Sequence, residues 1–344
     1  MSGRSRWYRS TSGAPAVQPS LLRAVRNRLR SWLPEPRVRG KMIILPSRRT
    51  FPRPSLRGLR SGFHGLFSEF HSVLGALAYA ELHGAAGVHV DFRSPLYAEA
   101  GRGPNWWTYF FERATLRLES DLADRVDEVR LDGVLTKYGR YGGFSDLVQG
   151  ETAYHYPMTH GLDRAALHRL IGAHIEVRAE IRGEVARVIA GSFQPGAFVV
   201  GIHYRGTDAT HRLAGRLTHY RTTPVPYRVY ADEVRRVLEA ASPRTFQVFV
   251  ATDEIECLAF MQREFGDRVI HFEHSPRARA DGQAVHLDRT LPVPNYQKGA
   301  SAIVDCLVLA ASTYLVKGRS NLSDASLAFN PQLPYSFCPD VAIV

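Results

Sequence analysis

Lysine is nearly missing from this chain. Lys41, Lys137, Lys298 and Lys317 are the only ones, so almost all of the 44 basic residues are arginine. Set against 33 acidic residues they leave a formal charge of +11, a balance that invites a polyanion-binding reading. The arginine skew, in a chain also rich in alanine and glycine, reflects a GC-rich gene as readily as a nucleic-acid surface. Cysteine is scarce too: Cys257, Cys306 and Cys338 lie far apart and form no Cys-x-x-Cys pair. That argues against a disulfide framework and fits a reducing compartment. No stretch reaches the roughly 18 apolar residues of a membrane span. The nearest, AIVDCLVLAASTYLV, carries Asp305. The N-terminus shows no signal-peptide apolar region, so a cytoplasmic location is expected.

Several chemical signatures are absent as well. There is no HExxH and no paired His/Cys cluster, so no metal is inferred. There is no GxxxxGK[ST] and no GxGxxG after a strand, which disfavours P-loop and dinucleotide sites. There is no GxSxG, which disfavours a serine hydrolase.

What is there is an α/β pattern. The 344 residues suit two domains, and 44% apolar with 22% charged residues is ordinary for a globular protein. Residues 1–20 are polar and arginine-rich without period. SLLRAVRNRLRSWLP then predicts an amphipathic helix over 21–33, capped by Ser20 and stopped by Pro34. Such a basic helix suits either the inner face of an anionic membrane or packing on the main body. KMIILP predicts a strand, FSEFHSVLGALAYAELHG a helix and GVHVDF the next strand. Residues 161–191 predict one long helix. After SFQPG come strand 197–203, helix 226–241, strand 246–251, helix 254–265 and strand 268–272, then helix 297–311, strand 313–316 and helix 322–329. The expected division is a basic segment over 1–40, one α/β domain over 41–194 and a second over 195–344.

Polar groups collect at three strand ends of the second half. GIHYRGTD (201–208) carries His203, Arg205 and Asp208 out of an apolar run. VFVATDE (248–254) ends in Thr252 and Asp253. YLVKGRSNLSDASLAF (314–329) passes from a strand through Arg319 and Ser320 into a helix opened by Asn321 and Ser323. In a parallel sheet all three ends share one edge. Arginine offers a planar fork of donors that fits a phosphate. A polar turn at a helix start adds N–H groups and positive potential. Aspartate can hold ribose hydroxyls or the edge of a base. Singly, each of these is more often structural, and Asp208 could simply cap its turn; together they describe a sugar-nucleotide diphosphate site.

HYRGTD resembles the first signature of the fucosyltransferase superfamily, which holds the core α1,6-fucosyltransferases, the rhizobial nodulation-factor fucosyltransferases and the protein O-fucosyltransferases. VFVATDE and KGASAIVDCLVLAASTYLVKGRSNLSDASLAFNP resemble its second and third motifs, and GFHGLFSEFHSVLGALAYAELHG with NWWTYFFE resembles bacterial members. The likeness runs over residues 42–332.

The resemblance implies a GT-B fold of two Rossmann-like domains facing a cleft. It implies inverting, metal-independent transfer of fucose from GDP-fucose to a glycan or lipid-linked glycan, with no cofactor and no nucleic acid. It implies Arg205 at the β-phosphate, His203 beside the nucleotide, Asp253 in the guanosine motif, and Ser320 and Ser323 at the pyrophosphate. Gly206 stands where several eukaryotic members carry a second arginine, and ATHRLAGR after the motif offers no carboxylate. Asp208, Asp91, Glu69, His64 and His71 are therefore all open as the general base. Gly62, Phe63 and Gly65 are expected to let an acceptor approach the backbone. Trp106, Trp107 and Tyr109 are expected either to stack on a sugar or to fill the core. Two other readings are weighed: an inactive relative that binds nucleotide or glycan, and a basic nucleic-acid binder.

Overall fold

The computed structural model describes residues 37–47, 65–118, 127–130, 164–206, 225–280, 282–318 and 320–338 in full, with the backbone of 49–50, 62–63, 212–213, 216–217, 222–223 and 341–342. The expected helix 21–33 lies outside the described residues.

Apolar residues at alternate or successive positions form the longer strands, while the short edge strands TLR, EVR and YSF are mixed. β1 (Met42–Pro46), β2 (Gly87–Asp91), β3 (Thr115–Arg117) and β4 (Glu128–Arg130) make a first sheet in the order β3-β2-β1-β4. β1 pairs in parallel with β2 and β4, and β3 is antiparallel to β2. β5 (Phe198–Tyr204), β6 (Phe246–Thr252), β7 (Val269–Ile270), β8 (Tyr314–Lys317) and β9 (Tyr335–Phe337) make a second sheet in the order β7-β6-β5-β8-β9. Every pair in it is parallel. Third, second, first, fourth, fifth is the order of a doubly wound sheet, and it reverses between β5 and β8.

The three central strands of the second sheet, β6, β5 and β8, bury both faces, as their apolar runs require, while the edge strands β7 and β9 are only part-buried. Val200, Ile202 and Tyr204 join one cluster with Val248, Val250, Val316 and the buried residues of the 227–241 helix, Tyr230, Ala231 and Val234. Val199, Phe249 and Leu315 join another with Ile303, Val304 and Leu309 of the 295–310 helix. On that side Gly201 is packed so closely that a Cβ would meet Leu309 and Ser312 at 2.9 Å.

The helices, in chain order, are α1 (Leu66–His83), α2 (Trp107–Phe110), α3 (Arg164–His174), α4 (Ala179–Ser192), α5 (Tyr227–Ala241), α6 (Ile255–Phe265), α7 (Asn295–Ala310) and α8 (Asn321–Phe329). The single helix expected over 161–191 is two, α3 and α4. The break at 175–178 has a tertiary cause. The Glu112 N–H donates to the Glu176 carbonyl at 2.9 Å, the Arg178 N–H donates to the Phe110 carbonyl at 2.9 Å, and Phe111 bridges Val177. These residues pair sideways with a distant segment and so leave the helical ladder.

The core around α1 continues into α7 and α8. Phe70 stacks on Trp107, Phe111 and Phe329 at 6.2, 5.7 and 5.6 Å between ring centres. Phe110 stacks on Tyr296 at 5.6 Å, and Gly299 leaves room for the Phe110 ring. Such pairs add about 0.5–1.5 kcal/mol each beyond their buried area. Asn295 Nδ2 donates to the Ala98 carbonyl at 3.0 Å, and the Tyr296 N–H donates to Glu99 Oε2 at 2.8 Å. The start of α7 is thereby fixed to the segment that follows β2.

Candidate active site

β5, β6 and β8 end level with one another. Thr252 lies opposite Tyr204, and Ala251 and Lys317 flank His203 on either side. Arg205 and Asp253 therefore leave the sheet side by side, next to the reversal of strand order, which is where doubly wound sheets bind ligands. The expectation that three strand ends share one edge is met. The Gly206 N–H donates to Asp253 Oδ1 at 3.0 Å, tying the first strand end to the second. His203 and Thr252 are buried, and Arg205 is half-buried. The Glu254 N–H donates to Thr252 Oγ1 at 3.2 Å.

The third strand end is held by a buried ion pair. Lys317 is 0% exposed, and its Nζ donates to Asp324 Oδ1 at 2.6 Å. Gly318 follows, where a Cβ would run into the Tyr230 hydroxyl. Ser320 caps α8, its Oγ accepting the Leu322 N–H at 3.3 Å. The Ser323 hydroxyl donates to the Ser320 carbonyl at 3.1 Å. Both hydroxyls are thus engaged within the turn and buried. With the Leu322 N–H taken by the cap, what the turn offers an anion is its remaining first-turn backbone N–H groups and the helix potential. His71 Nε2 donates to the Asn321 carbonyl at 3.1 Å, so α1 is bonded to the start of α8. Asn321 Oδ1 is buried and has no hydrogen-bond partner among the described residues. Asp208 and Arg319 lie outside the described residues.

Two carboxyl groups to which the sequence assigns no role, Glu254 and Asp305, are buried. Burial pushes Glu254 up from its ordinary 4.5 to about 7, helped by the charges of Asp253 and Glu256 and opposed by the Tyr227 hydroxyl. That hydroxyl donates to Glu254 Oε2 at 2.6 Å. Burial likewise pushes Asp305 up from 3.8 to about 7, against a bond from Ser275 and the charge of Arg277. The Ser275 hydroxyl donates to Asp305 Oδ2 at 2.7 Å, while Oδ1 has no partner among the described residues. The Arg277 guanidinium donates to the Ser275 and Phe272 carbonyls at 3.0 and 3.1 Å, and its own burial lowers its pKa. The available signal was a lone acid inside the apolar run AIVDCLVLA.

Of the two expectations for the aromatics, sugar stacking or core, their burial fits the core one. Trp106 and Trp107 are 0% and 1% exposed. Trp106 Nε1 donates to Ser94 Oγ at 3.0 Å and Trp107 Nε1 to the Arg113 carbonyl at 2.8 Å. Tyr109 is also buried. None of the three rings has a free face for a sugar; they are core. Gly62 and Phe63 pair with Thr50 and Arg49 in a short antiparallel ladder. Gly65 precedes α1, and a Cβ there would lie 3.7 Å from the His286 ring. Among the base candidates, Glu69 is fully buried and Asp91 takes a 2.6 Å bond from Arg93 Nε. His64 lies outside the described residues.

Among the described residues no group of three or more His, Cys, Asp or Glu is arranged to hold a metal ion, and no helix is long and apolar enough to cross a membrane.

No protein-family model matches the chain, and no curated protein sequence does. Among solved structures the chain is similar to NodZ α-1,6-fucosyltransferase soaked with GDP-fucose, with 18% identity, a TM-score of 0.48, and coverage of 85% of this chain and 94% of that one. It is similar to POFUT1 in complex with GDP at 10% identity and a TM-score of 0.43, covering 87% and 98% of the two chains. It is also similar to a mutant of Arabidopsis thaliana FUT1 in complex with GDP at 10% identity and a TM-score of 0.44, covering 91% and 73%.

Proposed function

We propose that this chain is an inverting, metal-independent glycosyltransferase that moves fucose, or a related sugar, from a GDP-linked donor to a glycan or lipid-linked glycan. The observation that carries the reading is the level ending of three parallel strands at the reversal of strand order, with Arg205, Asp253 and the capped start of α8 on that edge. The ordered resemblance of the three motifs to the fucosyltransferase superfamily supports it independently.

In this reading the bond between the sugar and the β-phosphate oxygen breaks, and negative charge grows on the diphosphate. A fixed guanidinium at Arg205 and the N–H groups at the start of α8 stabilise that charge where it develops. His203, Thr252, Asp253, Arg319, Ser320, Asn321 and Ser323 surround the nucleotide. The acceptor hydroxyl attacks the opposite face of the anomeric carbon and gives its proton to a base, for which Asp208 is our choice. Residues 41–194 hold the acceptor near Gly62, Phe63 and Gly65, and residues 195–344 hold the donor, facing each other as in a GT-B enzyme. Residues 21–33 bring the enzyme to a membrane surface on the cytoplasmic side; loss of liposome binding on deleting residues 1–40 tests that contact.

The activity test is release of GDP from GDP-fucose, with a bacterial glycan extract as acceptor and EDTA present. Release that depends on the extract, with an inverted anomeric linkage in the product, is the expected result. Tight GDP binding without any release would replace this reading with that of an inactive nucleotide-binding relative.

A further inference from the structure

Glu254 is a charged side chain in a place built for something apolar or neutral. It is 2% exposed. Its carboxyl group fills the space beside the Gly206 Cα so fully that a Cβ at 206 would fall inside it. One oxygen takes the Tyr227 hydroxyl at 2.6 Å. The N–H groups on either side are pinned as well: that of Glu254 to Thr252 Oγ1 and that of Gly206 to the neighbouring Asp253. The carboxyl thus sits between the chain leaving β5 and the chain leaving β6, directly after Arg205.

We propose that Glu254 is a positioning residue for the donor site: its carboxyl is a wedge that fixes the course of the backbone at Gly206, and so the aim of Arg205, and it binds a proton when an anionic donor enters. The proposal rests on the donor-site reading above and adds a residue to it. The wedge also explains why the position after Arg205 is glycine: no side chain fits there while Glu254 occupies its place.

The charges around the carboxyl support the proton coupling. On its own chain segment Asp253 and Glu256 are anionic neighbours. From α5 comes the neutral Tyr227, from the end of β5 the neutral Tyr204, and from α6 the neutral Cys257, and each has its pKa raised partly by Glu254. The cation adjoining Gly206 in the chain is Arg205. A diphosphate bound by Arg205 engages that cation and adds negative charge beside a carboxyl already near half-protonation at neutral pH. Ionised Glu254 and bound diphosphate oppose each other, so binding draws in a proton.

The test uses the full chain and four variants: Gly206→Ala, Glu254→Ala, Glu254→Gln and the double variant Gly206→Ala/Glu254→Ala. Melting temperature without nucleotide reads the wedge. Calorimetric titration with GDP, UDP and ADP, in two buffers of different ionisation enthalpy at pH 7, reads affinity and proton uptake. Gly206→Ala should lower the melting temperature and weaken GDP binding by about tenfold or more, and the double variant should recover most of both, the mark of two residues competing for one space. Wild type should take up protons on binding GDP, and Glu254→Gln should bind without uptake. A Gly206→Ala protein that melts and binds like wild type, or a double variant no better than the single, overturns the wedge. Equal uptake in wild type and Glu254→Gln overturns the proton coupling. If no nucleotide binds wild type, the function proposed above falls and takes Glu254's donor role with it, while the melting series still decides the wedge. If UDP or ADP binds in place of GDP, only the identity of the donor changes.

Discussion

The Gly206 N–H donates to Asp253 Oδ1 at 3.0 Å, across two strand ends that are 47 residues apart in the chain. Both residues belong to short polar stretches that close apolar strands, and the parallel register alone brings them together. The bond makes Asp253 a support for the backbone at Gly206, directly after Arg205.

Replacing Asp253 by alanine removes the acceptor and leaves the Gly206 N–H without this partner. A hydrogen bond to a charged group is worth about 1.5–3 kcal/mol, so GDP affinity should fall by roughly tenfold to a hundredfold. Calorimetric titration of the variant checks this. Unchanged affinity would mean that neither the backbone at Gly206 nor the nucleotide depends on Asp253.

Trp107 is buried and stacks on Phe111 at 3.9 Å between ring centres. Trp107→Ala should therefore act on folding, costing about 3–5 kcal/mol by chemical denaturation. If the variant keeps wild-type stability and loses only acceptor use, the ring faces the acceptor after all.

Lys317 and Asp324 form their 2.6 Å pair with side chains 1% and 13% exposed. Lys317→Met strands a buried carboxylate and should cost about 3–5 kcal/mol, while Lys317→Met/Asp324→Leu should recover much of that loss. Equal losses in the two proteins would show that the pair itself holds the turn before α8.

Asp305 gives a pH dependence of definite sign. Its folded pKa, about 7, lies above the unfolded value of 3.8, so folding favours the protonated form. The stability it contributes is complete below about pH 4 and is lost as pH rises through about 7, a change of a few kcal/mol. Denaturation at pH 5 and pH 8 should show Asp305→Asn gaining on wild type at the higher pH. Parallel behaviour of the two proteins would contradict the buried, protonated assignment.

The three central strands of the second sheet were legible because they are largely apolar runs buried on both faces with polar residues at their ends, whereas the edge strand β9, three part-buried residues, was not among the expectations. Strand 246–251 and helix 226–241 agree with β6 and α5 to within about a residue, the usual uncertainty of such boundaries. The division of 161–191 into two helices was not legible, because its cause is pairing of Glu176 and Arg178 with residues near 110. The tryptophans stayed open between sugar and core for a related reason. Aromatics grouped beside an asparagine read alike whether they face solvent or core, and here Asn105 Oδ1 accepts the Phe92 N–H at 3.0 Å and binds the segment inward. Glu254 and Lys317 stood inside the quoted motifs, yet only packing against Gly206 and Asp324 gives them a role.

The central claim is that Arg205 binds the diphosphate of a guanosine nucleotide. The most direct measurement is a thermal-shift series with GDP, UDP, ADP and CMP on wild type and Arg205→Ala. At about 100 times its Kd a ligand stabilises by about 2.7 kcal/mol, which is readily seen as a rise in melting temperature. The account predicts a rise with GDP that exceeds those of the other nucleotides and largely disappears in Arg205→Ala. A GDP shift of the same size in wild type and variant, or no shift with any nucleotide, would contradict it.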